Sequence, residues 1–252
     1  MADEITTKTI PTGTEAYCAD AVCVVARGVL LTEDELVQAL RSRICSIVWD
    51  DTGRADLGNL LASIATTSFQ TEGIRRLLSR TTDPEDWRVG EALAEAFLVD
   101  HRKCTFPWPS GRDLKNPTAS PTGTDLVGFQ HSDEQTAFCR FAFGEVKTSG
   151  QEQWPPSVWS GRHGLLNQIE QLRDSREVKD DLLFYLGHHA PATPWEVHYK
   201  TAASRYLTDP ADISLFGVLI RDVEHKAKDL ASRAGILSAN CPSATSIELR
   251  AV

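Results

Sequence analysis

The sequence lacks any apolar run of the roughly 18 residues that a membrane-crossing helix needs. Its start, MADEITTK, is polar and acidic, unlike a secretory signal peptide. No internal repeat or low-complexity tract interrupts the 252 residues, and a content of 41% hydrophobic and 24% charged residues is ordinary for a globular chain. We therefore expect a cytoplasmic protein with one large domain, or one domain with a substantial addition.

The sequence also lacks paired cysteines and a phosphate loop. The six cysteines are scattered, without a Cys-x-x-Cys pair: Cys18, Cys23, Cys45, Cys104, Cys139 and Cys241. This spacing predicts reduced thiols that mostly fill the core, and it disfavours a zinc site built from the cysteines. No segment resembles Gly-x-x-x-x-Gly-Lys-Ser/Thr, so the chain is not itself a nucleotide-driven motor.

Positive charge is in short supply, with 26 lysines and arginines against 35 acidic residues and a net charge of −9. Such a balance excludes a protein that coats nucleic acid non-specifically, because phosphate binding needs a local positive potential. It does not exclude a nuclease. A site for a divalent cation is itself acidic, and a partner subunit can supply basic surface.

Helical and strand patterns alternate along the chain and predict an α/β fold with a mixed central sheet flanked by helices. We predict a strand near 21–26, a helix capped by Thr32 with Glu35, a helix over 57–78 broken at Gly73, and a helix from an Asp83 cap to about Asp100. Two strands at 122–129 and 137–147, a helix over 162–173, strands at 181–187 and 215–221, a helix over 223–237 and a strand at 246–252 follow. Residues 83–252 form the predicted main domain, and residues 1–82 form an N-terminal α/β addition to which we assign partner docking.

Three charged residues lie at the same end of the two predicted strands at 122–129 and 137–147. Asp125 opens the first strand, and Glu145 and Lys147 lie near the end of the second. Because side chains alternate along a strand, Glu145 and Lys147 point to the same face as Phe141 and Phe143. Two carboxylates and an ammonium group at this position can hold a hard divalent cation and activate a water, which indicates phosphodiester hydrolysis.

The acid-x-Lys pattern alone is common, and the chain contains it four times: Asp113/Lys115, Glu145/Lys147, Glu177/Lys179 and Glu224/Lys226. Glu145/Lys147 is favoured because it ends an apolar stripe, where unpaired charges are costly, and because Asp125 begins the adjacent strand. Glu224/Lys226 follows a predicted strand and is the main rival.

The order helix, strand, strand, helix around Asp125, Glu145 and Lys147 resembles the PD-(D/E)xK nuclease superfamily, over about residues 84–186. Thr124 stands where the family name has its proline. The resemblance implies a restriction-endonuclease-like core in which Asp125, Glu145 and the carbonyl of Val146 bind Mg²⁺ or Mn²⁺, while Lys147 orients or deprotonates the attacking water.

The resemblance also implies one further site residue from each of the two flanking helices. An acid of the preceding helix completes the metal site, and Glu91 is our choice, with Glu95 one turn later as the alternative. In the following helix, Gln168 holds the site, although Leu172 breaks the usual Gln-x-x-x-Tyr or Gln-x-x-x-Lys spacing.

Several neighbouring side chains have two interpretations. The positive residues of the following helix can bind phosphate or be ordinary surface charges: Arg162, His163 and Arg173. Trp154 and Trp159 can stack on bases or, more commonly, fix a loop to the core.

Three short motifs resemble the HamA family, the nuclease subunits of the Hachiman anti-phage defence system. They are Arg88-Val-Gly-Glu91, Gly123-Thr-Asp-Leu-Val127 and Gly144-Glu-Val-Lys147, in this order. The resemblance implies DNA as substrate and a helicase partner, HamB, which would supply ATP-driven unwinding.

The residues and the resemblance together predict a metal-dependent endodeoxyribonuclease. Two alternatives remain open at this point. One is a non-enzymatic subunit that uses the nuclease fold to clamp nucleic acid or a partner. The other is a stand-alone restriction-type nuclease, which the shortage of basic surface disfavours.

Overall fold

The computed structural model describes residues 9–79, 83–113, 123–132, 138–223 and 228–252. Within these ranges the strands are β1 (Thr14–Ala21), β2 (Val24–Leu30), β3 (Cys104–Thr105), β4 (Leu126–His131), β5 (Cys139–Ser149), β6 (Ile213–Arg221) and β7 (Ser246–Ala251). The helices are α1 (Glu33–Ala39), α2 (Cys45–Trp49), α3 (Asp51–Ala62), α4 (Ser68–Leu78), α5 (Asp86–Arg102), α6 (Leu165–Asp174), α7 (Arg176–His189), α8 (Glu196–Thr208) and α9 (Lys228–Ser238). A π-helical turn, Leu40–Ile44, joins α1 to α2.

All seven strands form one mixed sheet in the order β1-β2-β7-β6-β5-β4-β3, so the α/β prediction is confirmed. The central strands β2, β7, β6 and β5 are parallel, and antiparallel pairs extend the sheet at both sides. Because β2 pairs with β7, the boundary between residues 82 and 83 does not separate two sheets. The docking role of residues 1–82 stays a prediction.

Helices cover both faces of the sheet, and β5 shows how its side chains divide between them. Phe141 and Phe143 pack in one core with residues of α6, α7, α8 and α9. Ala142 and Val146 point the other way and pack in a second core with α5 and the α1–α2 region. Strand alternation therefore places Glu145 and Lys147 on the α6 side of the sheet.

Several predicted elements are confirmed. β4 and β5 form the expected antiparallel pair, and β6 and β7 lie where buried strands were predicted. Thr32 caps α1 through a capping box: its Oγ1 accepts from the Glu35 N–H at 3.3 Å, and its N–H donates to the Glu35 carboxylate at 2.8 Å.

The strand predicted at 181–187 is wrong, because these residues belong to α7. Leu183 and Leu186, three residues apart, face the core, while Phe184 is exposed. A short apolar run does not distinguish a buried strand from a helix by periodicity. The decisive signal was Ser175, whose side chain accepts a hydrogen bond from the Val178 N–H and caps the helix.

Other boundaries differ from the prediction. The helix expected over 57–78 is two helices, because Thr67 caps α4 with its own capping box, and Gly73 lies inside α4. Glu85 rather than Asp83 occupies the N-cap of α5. The strand expected near 21–26 contains the turn between β1 and β2, where Cys23 adopts a φ of 62°.

The remaining predictions concern the start of the helix over 162–173, the rival acid-x-Lys pattern and membrane-crossing helices. The predicted helix over 162–173 begins at Leu165, after Gly164 in an extended conformation. The rival Glu224/Lys226 lies outside the described residues. In the part of the chain that the structure describes, no helix is long and apolar enough to cross a membrane.

Candidate active site

The structure brings Asp125, Glu145 and Lys147 together at one end of the β4–β5 pair. Leu126 pairs with Gly144, so continuing the register by one residue places Asp125 opposite Glu145. The Val146 N–H donates a hydrogen bond to Asp125 Oδ2 at 2.7 Å, which holds the aspartate against β5. Lys147 Nζ lies 2.5 Å from Glu145 Oε1. Strand pairing alone therefore assembles the acid–acid–lysine group.

The two carboxyl groups of this cluster lie side by side, and the pKa values of both are raised. Glu145 is only 1% exposed, and burial, followed by the charge of Asp125, raises its pKa to about 8 despite the opposing charge of Lys147. Burial also raises the pKa of Asp125, and the two carboxyl groups are joined by a hydrogen bond. Such a bond needs a proton on one of them, so the pair is poised to exchange that proton for a cation.

Glu91 joins the cluster from α5. Burial raises its pKa to about 7, and the next largest cause is the negative charge of Asp125. Arg88, one turn earlier, donates to Glu91 Oε2 at 3.1 Å and partly compensates the burial. The third carboxyl group therefore lies within electrostatic reach of Asp125, with the Arg88 guanidinium bound to it.

Glu95 has different neighbours. Burial raises its pKa to about 7 as well, but the other charges that act on it are Arg88, Asp50 and Arg43, from the start of α5 and from the segment that precedes α3. Asp125 and Glu145 are not among them. Of the two candidate acids on α5, Glu91 is the one that faces the strand pair.

A glycine sets how closely α5 approaches β5. A methyl group at Gly90 would lie 2.3 Å from Thr148 Oγ1, a separation that real side chains do not reach. The absence of a side chain at Gly90 thus allows the helix to rest on the strand next to Glu91. Thr148 Oγ1 is buried and has no hydrogen-bond partner among the described residues. The sequence pattern did not single out either residue.

The carbonyl of Val146 points to the same side as Asp125. In a strand, the N–H and C=O of one residue point toward the same neighbouring strand, and the Val146 N–H meets Asp125. The β4–β5 pairing ends at Leu126 and Gly144. The Val146 carbonyl therefore faces the carboxylate cluster and is positioned to be a metal ligand.

Gln168 lies on the face of the sheet toward which Glu145 and Lys147 point. It belongs to α6, which packs on β5 and β6 in the same core as Phe141 and Phe143. Its Oε1 atom is buried and makes no hydrogen bond within the described parts of the chain. The helix and the face agree with a role beside Lys147, and that role stays a prediction.

Of the neighbouring side chains that could contact phosphate or bases, two are buried and three are at least partly exposed. Arg173 is only 8% exposed and donates to the Leu237 carbonyl at 2.6 Å and to Asp174, so it is a buried and paired charge, which neither of its two interpretations predicted. Trp159 is fully buried in the core and fixes its loop, which excludes base stacking by this residue. Arg162 and His163 are exposed, and Trp154 is partly exposed.

Solvent reaches the cluster at Lys147, whose side chain is 22% exposed while that of Glu145 is 2% exposed. A groove of about 770 Å³ lies on the α5 side of the sheet, where Gly90, Thr148 and Ser149 contribute to its lining, and the residues of the cluster do not line it. No family model matches the chain, and a search of curated proteins finds no significant match. The chemistry of the site is therefore inferred from its own residues.

Proposed function

We propose that the protein is a metal-dependent nuclease of the PD-(D/E)xK type that hydrolyses phosphodiester bonds in DNA. The observation that supports this most is the adjacent pair of carboxyl groups, Asp125 and Glu145, whose pKa values are both raised and beside which the Lys147 ammonium group lies 2.5 Å from Glu145 Oε1. A purely structural site has no reason to bury two acids with raised pKa values side by side, because their burial is costly.

The donor set fits a hard divalent cation. Carboxylate oxygens from Asp125, Glu145 and Glu91, with the Val146 carbonyl, are the ligands that Mg²⁺ and Mn²⁺ prefer. When bound, the cation polarises the scissile phosphate and increases the acidity of a water. Burial is the largest cause of the raised pKa values of Glu145 and Glu91, and the negative charge of Asp125 is the next largest for both.

Lys147 supplies the remaining positive charge of the site. Its ammonium group contacts Glu145 on one side and is partly open to solvent on the other. From this position it can donate hydrogen bonds to an attacking water and to a phosphate oxygen as negative charge develops there. Glu145 has a second role here, because it fixes the position of the lysine.

The choice of DNA and of a helicase partner rests on the resemblance to the HamA family, within an anti-phage defence system. One structural feature agrees with a partner. Helices α3 and α4 pack on each other but leave large apolar side chains in solvent: Leu60, Ile64 and Phe69. Phe69 is 86% exposed. We propose that this part of residues 1–82 docks the helicase subunit, which also supplies the basic surface that a chain of net charge −9 lacks.

The test is cleavage of double- and single-stranded DNA with Mg²⁺ or Mn²⁺, by the chain alone and together with its helicase partner. We expect Glu145→Ala and Lys147→Ala to remain folded and to lose at least about 100-fold in cleavage rate. Glu177→Ala is the matched control, because Glu177 is the exposed acid of another acid-x-Lys copy, on α7, and the variant should cleave like the wild type.

Two results would contradict the proposal. If both variants cut as fast as the wild type, the site assignment is wrong. If the wild type binds DNA but neither cleaves it nor binds Mg²⁺ or Mn²⁺ in calorimetry, with or without the partner, the fold serves as a clamp rather than an enzyme.

A further inference from the structure

The other end of the β4–β5 pair carries a second group of potential metal ligands, of a different chemical type. His131, the last residue of β4, pairs directly with Cys139, the first residue of β5. His198, in the first turn of α8, reaches the same point from the helix that packs on β5. One ligand atom from each of these three residues lies within 4.8 Å of the other two.

Packing and hydrogen bonds hold these three side chains in place. The rings of His131 and His198 meet edge to face, with centroids 4.9 Å apart. Cys139 is 1% exposed, and its Sγ donates to the His198 carbonyl at 3.2 Å. Thr105 Oγ1 lies 3.1 Å from Nε2 of His131. The group is thus preorganised, with elements from three different parts of the chain.

One atom of the group is buried without a partner. His198 Nδ1 has no hydrogen-bond partner within the part of the chain that the structure describes. A buried nitrogen without a hydrogen bond destabilises the fold, and such atoms are rare in proteins. A metal ion at the centre of the group would satisfy it.

We propose that His131, Cys139 and His198 bind one Zn²⁺ ion, which ties the end of the β4–β5 pair to α8. Imidazole nitrogen and thiolate sulfur are the donors that zinc prefers, and three protein ligands leave a fourth position for water. With Zn–N near 2.0–2.1 Å and Zn–S near 2.3 Å, ligand atoms lie roughly 3.3–3.8 Å apart in a tetrahedral site. The observed limit of 4.8 Å therefore requires a movement of only about 1 Å.

Binding replaces the thiol proton of Cys139 with the metal, and the proton leaves to solvent. Without metal the thiol stays protonated, since burial raises the pKa of Cys139 to about 11. This agrees with its donation to the His198 carbonyl. The spacing of the six cysteines disfavours a zinc site built from them, whereas the site proposed here uses one cysteine together with two histidines.

The two ends of the strand pair should select different metals. Asp125 and His131 are six residues apart, which corresponds to about 20 Å along a strand. The carboxylate cluster offers only oxygen, and the His131 group offers nitrogen and sulfur. If the zinc site does not exist, the proposal of a nuclease site at the carboxylate cluster is unaffected. If the nuclease proposal fails, the zinc proposal is likewise unaffected.

The experiment is cobalt substitution of the purified chain, followed by absorption spectroscopy, together with the zinc content of the protein as isolated. A cobalt–thiolate charge-transfer band in the near ultraviolet reports a cysteine ligand, and d–d bands report tetrahedral geometry. We expect about one zinc per chain in the wild type and both sets of bands after substitution.

The variants separate this site from the other candidates. Cys139→Ser should lose the charge-transfer band, because it removes the thiolate. His198→Gln keeps the thiol but should lower the zinc content at least about tenfold. Cys104→Ser, a buried cysteine in β3, and Glu145→Gln, at the carboxylate cluster, are the matched controls and should keep both the band and the zinc.

If a variant does not fold, the zinc content and the cobalt spectrum of the wild type still test the proposal. A wild type without zinc and without a charge-transfer band on cobalt addition would overturn the proposal. So would a band that survives in folded Cys139→Ser or disappears in Cys104→Ser. Loss of zinc in Glu145→Gln, with retention in His198→Gln, would place the metal at the carboxylate cluster instead.

Discussion

The two ends of the β4–β5 pair share one backbone geometry but carry opposite chemistry. At one end Asp125, opposite Glu145, forms a buried acidic group with Lys147 beside it. At the other end His131, opposite Cys139, forms a group of nitrogen and sulfur donors that His198 completes. Antiparallel pairing brings the side chains together in both places. The residue types, rather than the fold, decide which cation each end can hold.

The difference in charge has a consequence for stability. A buried carboxyl pair without a cation is destabilising unless it holds a proton, whereas neutral imidazole and thiol groups can be buried at smaller cost. The carboxylate end should therefore respond strongly to pH near neutrality. The three predictions below test this contrast.

The largest expected effect is on stability at different pH values. The pKa of Glu145 is about 8 in the folded protein and about 4.5 in the unfolded chain. Between these values the folded protein holds a proton that the unfolded chain has released. The free energy of unfolding should therefore fall as the pH rises from about 4.5 to about 8, by on the order of 3 kcal/mol. Glu145→Gln should remove the contribution of Glu145 to this dependence and be more stable than the wild type at pH 8.

Urea unfolding at pH 5, 6, 7 and 8 measures this prediction. The buffers should lack divalent cations but contain no chelator, so that metal at the His131 group is not removed. Glu91 and Glu95 also have raised pKa values and leave a smaller slope in the variant. Glu177→Gln, at an exposed site, should keep the slope of the wild type. If the slope of Glu145→Gln equals that of the wild type, the shared proton does not exist.

The sequence allowed prediction of the carboxylate end because strand alternation and hairpin pairing are short-range rules. Asp125, Glu145 and Lys147 follow from them directly. The choice between Glu91 and Glu95 did not follow, because both lie on one helix a turn apart. It depends on how α5 rests on β5, which the contact between Gly90 and Thr148 sets.

Only part of the group at the His131 end could have been predicted from the sequence. His131 and Cys139 flank the turn between two predicted strands, so their pairing could have been noticed. His198 could not, because α8 lies about 60 residues later and reaches β5 only through tertiary packing. The error at α7 has a related cause. An apolar segment of seven residues fits both a buried strand and a helix, and the core on the α6 side of the sheet accepts the helix.

The second prediction concerns which acid of α5 belongs to the carboxylate end. Glu91→Gln should lower the rate of Mg²⁺-dependent cleavage about 10- to 100-fold, because Glu91 interacts with Asp125 and would be a ligand or would orient one. Glu95→Gln makes the same chemical change one turn later, near Arg43 and Asp50, and should change the rate less than about threefold. Initial rates at several Mg²⁺ concentrations separate a weaker metal affinity from slower chemistry. The opposite ranking of the two variants would transfer the role to Glu95.

The smallest expected effect is that of the His131 end on catalysis. Cys139→Ser and His198→Gln should leave the rate of DNA cleavage in Mg²⁺ within about twofold of the wild type, at a temperature where each variant is folded. About 20 Å of strand separates the two ends, and changes at such distances usually act independently. The thermal midpoint with and without added Zn²⁺, measured on the same samples, should instead rise in the wild type and not in these variants. A large loss of cleavage in folded Cys139→Ser would mean that the metal of the His131 group takes part in the reaction, and the two ends would then form one site.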